Sequence, residues 1–450
     1  MRIHFIAIGG SAMHNLAIAL HKKGYQITGS DDVIFEPAKS RLDKYGLLPE
    51  EMGWNENRIP KELDAVILGM HARIDNPELL KAQELGVKIY SYPEYIYEQS
   101  KNKLRVVIGG SHGKTTITSM ILHVLNYYNR DFDYLVGAQL AGFETMVKVT
   151  EEAPVMIIEG DEYLSSPIDR RPKFHLYKAN IAVISGIAWD HINVFPTYAD
   201  YTLQFDKFID TIEENGTLIF CSEDRDLKEI VEKSKAKINK IPYAIPAHLV
   251  EEGITYLLPE KTSLKVFGDH NLMNLNAAKL VCEKLNIDAS EFDIAIASFT
   301  GAAKRLEVIS ADESTNVYKD FAHSPSKLKA TIDAVKTQFT NRKLVACIEL
   351  HTFSSLNKDF LKEYAGAMDQ ADEAIVYIDL KSFEQKQMKP FSENDVQEAF
   401  SNLNLKFFND STKLKAYLLR LNYKNTNLLM MSSGNYAGFD LPELAAELKK

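Results

Sequence analysis

The sequence predicts an α/β protein of three domains, on the basis of three observations. Apolar strand-like runs alternate with helical patterns along most of the chain, which is typical of parallel sheets. The length of 450 residues exceeds what one hydrophobic core usually supports. The alternation is interrupted at polar stretches, which predict an N-terminal domain over residues 1–101, a central domain over 102–300 and a C-terminal domain over 301–450.

The first domain opens with a predicted strand, Ile3–Ile8, followed by a turn and a helical pattern over Met13–Lys22. This order is that of a Rossmann-like domain, in which the turn between strand and helix holds a pyrophosphate. Gly9 and Gly10 lie in that turn. The glycine fingerprint is imperfect, so it does not distinguish NAD from another nucleotide diphosphate.

Two further polar segments of the first domain follow predicted strands. Ser30 and Asp31 come at the end of the second strand, where a ribose-binding acid belongs, although a cap on the next segment explains Asp31 equally well. His71 lies in a polar loop after the third strand, Ala65–Leu68, and the end of that loop also reads as a capped helix start. Because ligands bind at this edge of a parallel sheet, both segments are candidates for nucleotide contact.

The central domain begins with a nucleotide-phosphate loop. The predicted strand Leu104–Ile108 leads into a glycine-rich turn and then a helical pattern over Thr115–Tyr127. Backbone amides of such a turn bind polyphosphate oxygens, a lysine adds positive charge, and hydroxyl groups bind Mg²⁺. The predicted ATP-binding residues here are Gly110, Ser111, His112, Gly113, Lys114, Thr115 and Thr116.

Acidic and imidazole side chains follow the next predicted strands of this domain. Glu159 ends the strand that begins at Val155, and the pair Asp190-His191 comes after the strand Ile181–Ser185. Acids at the carboxyl edge of the sheet can reach a metal bound beside the phosphate loop. Mg²⁺ prefers oxygen ligands, so His191 taken alone is more typical of a hydrogen-bonding residue.

The C-terminal domain restarts the alternation after residue 301 and is predicted to be Rossmann-like. The predicted strands and helices are, in order, Val317–Asp320, Ser326–Lys336, Leu344–Glu349, Phe360–Ala371, Ala374–Ile378 and Leu428–Met431. The stretch Ile238–Val266, before this domain, is less regular and contains short β-like pieces.

Composition excludes several classes of function. The net charge of −10 argues against a nucleic-acid partner, which requires clustered Lys and Arg. No apolar run approaches the roughly 20 residues of a membrane span. The three cysteines are scattered without metal or disulfide spacing, as in proteins of a reducing compartment. We therefore expect a cytoplasmic protein with small-molecule substrates; the sequence does not predict its oligomeric state.

The chain resembles the Mur ligases, which are ATP-dependent amide-forming enzymes of peptidoglycan metabolism. The resemblance covers essentially the whole length and rests on the phosphate loop and on five further motifs. These are Glu159–Glu162, Asp190-His191, Gly268–Ala278, Lys304-Arg305 and Tyr318–Pro325. It implies that the first domain holds a UDP-sugar, the second holds ATP with Mg²⁺, and the third holds the incoming amine.

The resemblance also implies roles for single residues. Lys114, Glu159, His191 and Arg305 are the expected catalytic residues, and Thr115, Glu159 and His191 the metal-linked ones. Asn271 and Asn274 are placed at the adenine, Arg305 at phosphate and Asp320 at the ribose. From the residues alone, His270, Asn271 and Asn274 are also plausible as helix caps, and for Asn271 the cap and the ligand role are equally plausible. The residues expected to bind the UDP-sugar are Gly9, Gly10, Ser30 and Asp31. His71, in the polar loop after the third predicted strand, is added to this UDP-sugar set.

Three segments resemble the branch of the family that accepts a peptide, the murein peptide ligases. They are Asp169–Phe174, Met431–Gly438 and the acid Glu349. We therefore expect ATP-dependent joining of UDP-N-acetylmuramate to L-alanyl-γ-D-glutamyl-meso-diaminopimelate, through an acyl phosphate, as in peptidoglycan recycling. Leu350-His351 replaces the Pro-Arg that follows the acid in that branch. Two alternatives stay open: a UDP-N-acetylmuramate–L-alanine ligase, and a UDP-sugar- or NAD-binding protein that hydrolyses ATP as a switch.

Overall fold

The computed structural model describes residues 1–189, 194–302 and 305–448. The chain divides into two compact units. The first comprises Met1–Ile187, Tyr198–Tyr243 and Ala277–Asp288, and the remaining residues form the second.

The first unit begins with a four-stranded parallel sheet. Its strands run in the order β2-β1-β3-β4, so the chain leaves the central strand β1 first to one side and later to the other. The turn after β1 therefore lies where the strand order reverses, the usual ligand position in such sheets. The elements are β1 (Arg2–Ile6), α1 (Ser11–Lys22), β2 (Gln26–Ser30), α2 (Ala38–Lys44), β3 (Ala65–Leu68), α3 (Pro77–Glu84), β4 (Ile89–Ser91) and α4 (Tyr92–Ser100).

The second sheet of this unit has seven strands and carries the phosphate loop at its centre. Its order is β11-β10-β9-β5-β8-β6-β7, and every neighbouring pair is parallel except β6 with β7. The elements are β5 (Leu104–Gly109), α5 (Lys114–Tyr127), β6 (Asp133–Leu135), β7 (Val147–Lys148), β8 (Val155–Glu159), β9 (Ile181–Ile184), α6 (Tyr198–Asp210), β10 (Thr217–Cys221), α7 (Arg225–Lys233) and β11 (Asn239–Tyr243).

Strand β5 is buried from Val106 to Ile108, all fully shielded from solvent, because β8 and β9 flank it and helices cover its faces. The carboxyl ends of three adjacent parallel strands thus meet at one edge. That edge presents the phosphate loop, Glu159 and Ser185 side by side.

The second unit contains a small antiparallel sheet and a larger mixed one. The small sheet has the order β12-β13-β14, and the larger sheet has the order β15-β16-β20-β17-β18-β19 with only β15 antiparallel. Their strands are β12 (His248–Glu251), β13 (Ile254–Leu257), β14 (Thr262–Leu264), β15 (Glu307–Ala311), β16 (Asn316–Asp320), β17 (Lys343–Glu349), β18 (Glu373–Tyr377), β19 (Lys406–Phe408) and β20 (Thr426–Met431).

Helices cover both faces of the larger sheet. Along β17, Leu344, Ala346 and Ile348 pack into one hydrophobic cluster, whereas Val345 and Cys347 pack into the other. The helices that follow β11 along the chain are α8 (Asp269–Lys284), α9 (Ala289–Ile296), α10 (Pro325–Gln338), α11 (Lys358–Leu361), α12 (Leu380–Lys386), α13 (Glu393–Ala399), α14 (Ser411–Leu418) and α15 (Leu441–Glu447).

The predicted α/β class is confirmed, with local corrections. The first strand ends at Ile6, because Ala7 adopts a positive φ of 68° that leaves the sheet. The helix predicted over Phe360–Ala371 is wrong in extent: α11 is followed by a short 3₁₀ helix, and Gly366 with φ 71° prevents continuation. Within the described ranges, no helix is both long and apolar enough to span a membrane.

Candidate active site

Two glycines shape the phosphate loop between β5 and α5. Gly110 has φ 125° and Gly113 has φ 74°, both in the region that favours glycine. A Cβ on Gly110 would lie 2.8 Å from the backbone nitrogen of Ser185, so only glycine fits there. Among the described residues, no side chain caps α5 at Gly113. The loop thus leads into a helix N-terminus of the kind that binds phosphate.

Lys114 is held at the centre of this loop. Its Nζ donates to the carbonyl oxygen of Gly110 over 2.6 Å and to Oε2 of Glu162 over 2.7 Å. Burial acts to lower the pKa of Lys114, but attraction to Glu162 and Asp161 outweighs burial and raises it. The site therefore holds a fixed positive charge where the terminal phosphates of a nucleotide would lie.

Glu159 and Thr115 place two oxygen atoms beside the loop. Thr115 Oγ1 donates to Glu159 Oε1 over 2.8 Å, and the amide of Gly137 donates to Glu159 Oε2 over 2.7 Å. Burial raises the pKa of Glu159 above its ordinary value, against the opposing effect of these hydrogen bonds. A carboxylate and a hydroxyl are oxygen ligands that suit Mg²⁺, which commonly keeps several waters.

The third predicted metal residue, His191, lies outside the described residues, as do Asp190 and Lys304. Among the residues that are described, no group of three or more His, Cys, Asp or Glu side chains is arranged to hold a metal. The described part of the predicted metal site is therefore the Thr115–Glu159 pair.

Sequence reasoning missed Tyr201 and Gly137. Tyr201, on α6, shares a 2.8 Å hydrogen bond with Ser111 Oγ and donates to Glu162 Oε1 over 3.2 Å. It thereby joins the phosphate loop to the acid that holds Lys114. In the sequence, Tyr201 belongs to an apolar helix face with Phe205 and Phe208, so nothing distinguishes it from a core residue. No sequence pattern marks Gly137, because it lies in the loop after β6 whereas its partner Glu159 ends β8.

The N-terminal turn is closed by Asp31. Its Oδ2 accepts from the amide of Gly9 over 2.8 Å, and a Cβ on Gly9 would lie 2.9 Å from that oxygen. Burial raises the pKa of Asp31 to about 6. Gly10 directly precedes α1. In this structure Asp31 orders the preceding glycine turn, and its ligand role stays a prediction.

The other two residues of the predicted UDP-sugar set differ in exposure. Ser30 is fully buried and its hydroxyl donates to Glu78, so its side chain faces the interior. His71 is exposed in the loop that follows β3. The side chain of His71 can therefore contact a ligand directly. Ser30 instead supports the turn through its backbone oxygen, which accepts from the amides of Ala7 and Ile8.

In the second unit, the alternative interpretation of three residues as helix caps is wrong. Helix α8 begins at Asp269, so His270, Asn271 and Asn274 lie within it and not at its N-cap. Asn271 Nδ2 instead donates to the carbonyl oxygen of Phe267 over 2.9 Å. Both asparagines are buried.

Asp320 and Arg305 lie close together in the second unit. Asp320 accepts from the amides of Leu306 and Ala322, each over 2.7 Å. The Arg305 guanidinium lies 4.5 Å from the ring centre of Phe321, the residue after Asp320. Asp320 thus fixes the backbone next to Arg305; its predicted contact with ribose, like the other ATP contacts in this unit, stays a prediction.

A cluster of hydrogen-bonded polar side chains lies at the carboxyl ends of β20 and β17. Glu349 Oε2 accepts from the amide of Tyr436 over 2.9 Å and from the hydroxyl of Ser432. His351 Nε2 lies 3.2 Å from Ser433 Oγ, and burial lowers the pKa of His351. The acid and the segment after β20, which sequence reasoning connected with the amine substrate, are thus in direct contact.

Comparison with known sequences identifies the family along nearly the whole chain. Residues 2–103 match the Mur ligase family catalytic domain, residues 108–282 match the Mur ligase middle domain, and residues 304–434 match the Mur ligase glutamate ligase domain. The chain is 30% identical to the UDP-N-acetylmuramate--L-alanine ligase of Desulforamulus reducens, over 83% of this chain and 82% of that protein.

Solved structures share the fold. A murein peptide ligase from Psychrobacter arcticus has a TM-score of 0.65 at 21% identity, covering 100% of this chain and 99% of that one. The UDP-N-acetylmuramate-alanine ligase of Thermotoga maritima has a TM-score of 0.68 at 20% identity, covering 100% of this chain and 98% of that one. The predicted three-domain architecture with a central ATPase domain is confirmed, whereas the boundaries at 101 and 300 stay predictions. The chain therefore belongs to the Mur ligase family and is an ATP-dependent amide ligase.

Proposed function

We propose that this ligase joins the lactyl carboxylate of UDP-N-acetylmuramate to the amine of L-alanyl-γ-D-glutamyl-meso-diaminopimelate. The observation that carries the peptide acceptor is the contact between Glu349 and the Ser432–Tyr436 segment. These are two of the segments that resemble murein peptide ligases, and the fold brings them into direct contact. A buried carboxylate attracts an ammonium group and repels a carboxylate. Diaminopimelate carries a second ammonium that L-alanine lacks.

The proposed chemistry has two steps. A carboxylate oxygen of the sugar substrate attacks the γ-phosphorus of ATP, ADP leaves, and an acyl phosphate forms. The acceptor amine then attacks the acyl carbon, and inorganic phosphate leaves with the carboxylate oxygen while the amine loses a proton. No covalent bond to the protein is required, so positioning and charge stabilisation are the expected sources of catalysis.

The residues of the phosphate loop fit the first step. Two anions must meet, and their repulsion in a partly dry site amounts to several kcal/mol unless cations lie between them. Lys114 supplies one cation. Mg²⁺ would neutralise charge at the phosphates. Thr115 and Glu159 would hold it, and the family resemblance adds His191 as a third ligand. The hydrogen bond from Gly137 orients the Glu159 carboxylate for that purpose.

A second acceptor, L-alanine, is favoured by a specific observation: the relative from Desulforamulus reducens is named a UDP-N-acetylmuramate--L-alanine ligase. The nucleotide-switch alternative does not fit membership in a family of ATP-dependent ligases.

One experiment separates these functions. The protein is incubated with ATP, Mg²⁺ and UDP-N-acetylmuramate, with L-alanine or the tripeptide or no amine. Phosphate release is followed, and the mass of the product is determined by mass spectrometry. We expect phosphate release and the tripeptide adduct with the tripeptide, and much slower release with L-alanine. A higher kcat/KM with L-alanine would replace the tripeptide proposal, and release without any amine would indicate a switch.

A further inference from the structure

A buried charged cluster lies beneath the first-domain turn. His4, Ser30 and Glu78 are all fully shielded from solvent. Glu78 Oε2 lies 3.2 Å from His4 Nε2 and also accepts from the Ser30 hydroxyl. The other ring nitrogen of His4 lies 2.8 Å from Thr28 Oγ1. This cluster, His4–Ser30–Glu78, uses residues from β1, β2 and α3.

The surroundings of Glu78 favour its ionised form. Burial acts to raise the pKa of Glu78, but hydrogen bonds from His4, Asn55 and Ser30 outweigh it and hold the pKa below its ordinary value. An ionised carboxylate only accepts hydrogen bonds, so His4 Nε2 must carry a hydrogen. A buried carboxylate of this kind is weak support for stability, because apolar residues of similar volume are often at least as stable. The cluster calls for another explanation.

The cluster connects three loops at the carboxyl edge of the first sheet. The carbonyl oxygen of Ser30 accepts from the amides of Ala7 and Ile8 over 2.9 and 3.0 Å, which fixes the glycine turn. Glu78 Oε1 accepts from the amide of Asn55 over 2.9 Å, in the loop between α2 and β3. Glu78 also lies in the first turn of α3, just after the loop that carries His71.

A fourth contact supports the same loop arrangement. Arg58 lies 3.8 Å from Glu78 Oε1 and donates to the carbonyl oxygen of Gly53 over 2.7 Å. The amide of Gly53 in turn donates to the backbone oxygen of Asp31 over 2.7 Å. A single buried carboxylate thereby sets the spacing of every loop that carries a predicted UDP-sugar residue.

Resting on the proposed function, we propose that Glu78, acting with His4 and Ser30, is a positioning residue for the nucleotide sugar. It touches no substrate. It holds the turn at Gly9 and Gly10, the Asn55 loop and the His71 loop at the separation that a UDP-sugar requires. Loss of this cluster should therefore weaken nucleotide-sugar binding while leaving the ATP site in the central domain unchanged.

The test compares Glu78→Gln, which keeps the shape and removes the charge, with a matched control, Asp133→Asn. Asp133 is also fully buried and pairs with Lys103 Nζ over 2.6 Å. It is the first residue of β6, whereas the phosphate loop follows the carboxyl end of β5. KM is measured for UDP-N-acetylmuramate and for ATP. The Kd of UDP-N-acetylmuramate in the absence of ATP is measured by calorimetry. We expect Glu78→Gln to raise KM and Kd for the UDP-sugar by about tenfold, corresponding to one lost charged hydrogen bond, with KM for ATP and kcat within about twofold.

The outcomes separate this inference from the proposed function. Unchanged affinity for UDP-N-acetylmuramate in Glu78→Gln, or an equal loss in Asp133→Asn, would overturn the positioning role. If Glu78→Gln does not fold, Ser30→Ala is tested instead. It removes one hydrogen bond to Glu78, so we expect the same rise of about tenfold in KM and Kd for UDP-N-acetylmuramate. A wild-type protein that does not bind UDP-N-acetylmuramate would instead overturn the proposed function and this inference together.

Discussion

The hydroxyl of Thr115 offers the sharpest single perturbation of the ATP site. Thr115→Val replaces a hydroxyl with a methyl group of nearly equal size, so the buried packing at the start of α5 is retained. The change removes the 2.8 Å hydrogen bond to Glu159 and, under the proposed mechanism, one metal ligand. Glu159 keeps the 2.7 Å hydrogen bond from Gly137 but loses one of two fixed partners.

The magnitude follows from these contacts. A hydrogen bond to a charged acceptor contributes about 1.5–3 kcal/mol, which corresponds to about a 10- to 150-fold loss of kcat/KM for ATP. Thr115→Ser keeps the hydroxyl and should retain activity within about threefold of wild type. The assay is tripeptide-dependent phosphate release at several Mg²⁺ concentrations. Wild-type kcat/KM in Thr115→Val, or an equal loss in Thr115→Ser, would refute the role of the hydroxyl.

Three further predictions concern Lys114 and Gly137 at the ATP site and Asp31 at the N-terminal turn. Lys114→Met should abolish product formation, by about a thousandfold or more, while the circular dichroism spectrum stays that of the folded protein; wild-type-like turnover would remove the phosphate-loop assignment. Gly137→Ala places a Cβ 2.5 Å from Glu159 Oε1, so the Mg²⁺ concentration for half-maximal activity should rise about 10- to 100-fold, and an unchanged Mg²⁺ dependence would contradict the orienting role of Gly137. Because burial raises the pKa of Asp31 to about 6, the folded state holds its proton more tightly than the unfolded state, and this group's contribution to stability should fall as pH rises from about 4 to 6. The Tm of Asp31→Asn should therefore rise relative to wild type between pH 4.5 and 7, and a pH-independent difference would show that Asp31 is not protonated in this way.

Much of the fold was predictable because sequence periodicity reports burial directly. The strands β5, β8 and β9 are predominantly apolar, and parallel pairing brings their carboxyl ends together. That topology explains why Lys114, Thr115 and Glu159 could be assigned to one site from sequence. The end of β1 could not be predicted, because the positive φ of Ala7 depends on hydrogen bonds to Ser30, in another strand.

The supporting contacts of the site were less predictable. Tyr201 and Gly137 act through partners far away in the sequence, and neither belongs to a motif with a local spacing. Glu78 lies in the first turn of an ordinary amphipathic helix, where an acid is expected for the helix dipole alone. Its connection to His4 and Ser30 exists only once β1, β2 and α3 are packed together. Sequence patterns report an element's exposed and buried faces, but they do not report which buried polar groups meet.

Activation of the sugar carboxylate by ATP is the central claim, and oxygen transfer tests it most directly. UDP-N-acetylmuramate labelled with ¹⁸O in its lactyl carboxylate is converted with unlabelled ATP and tripeptide, and the released phosphate is analysed by mass spectrometry. The proposed mechanism predicts that each turnover places one ¹⁸O atom in inorganic phosphate. Phosphate that carries no label, formed at the same rate as the amide, would contradict it.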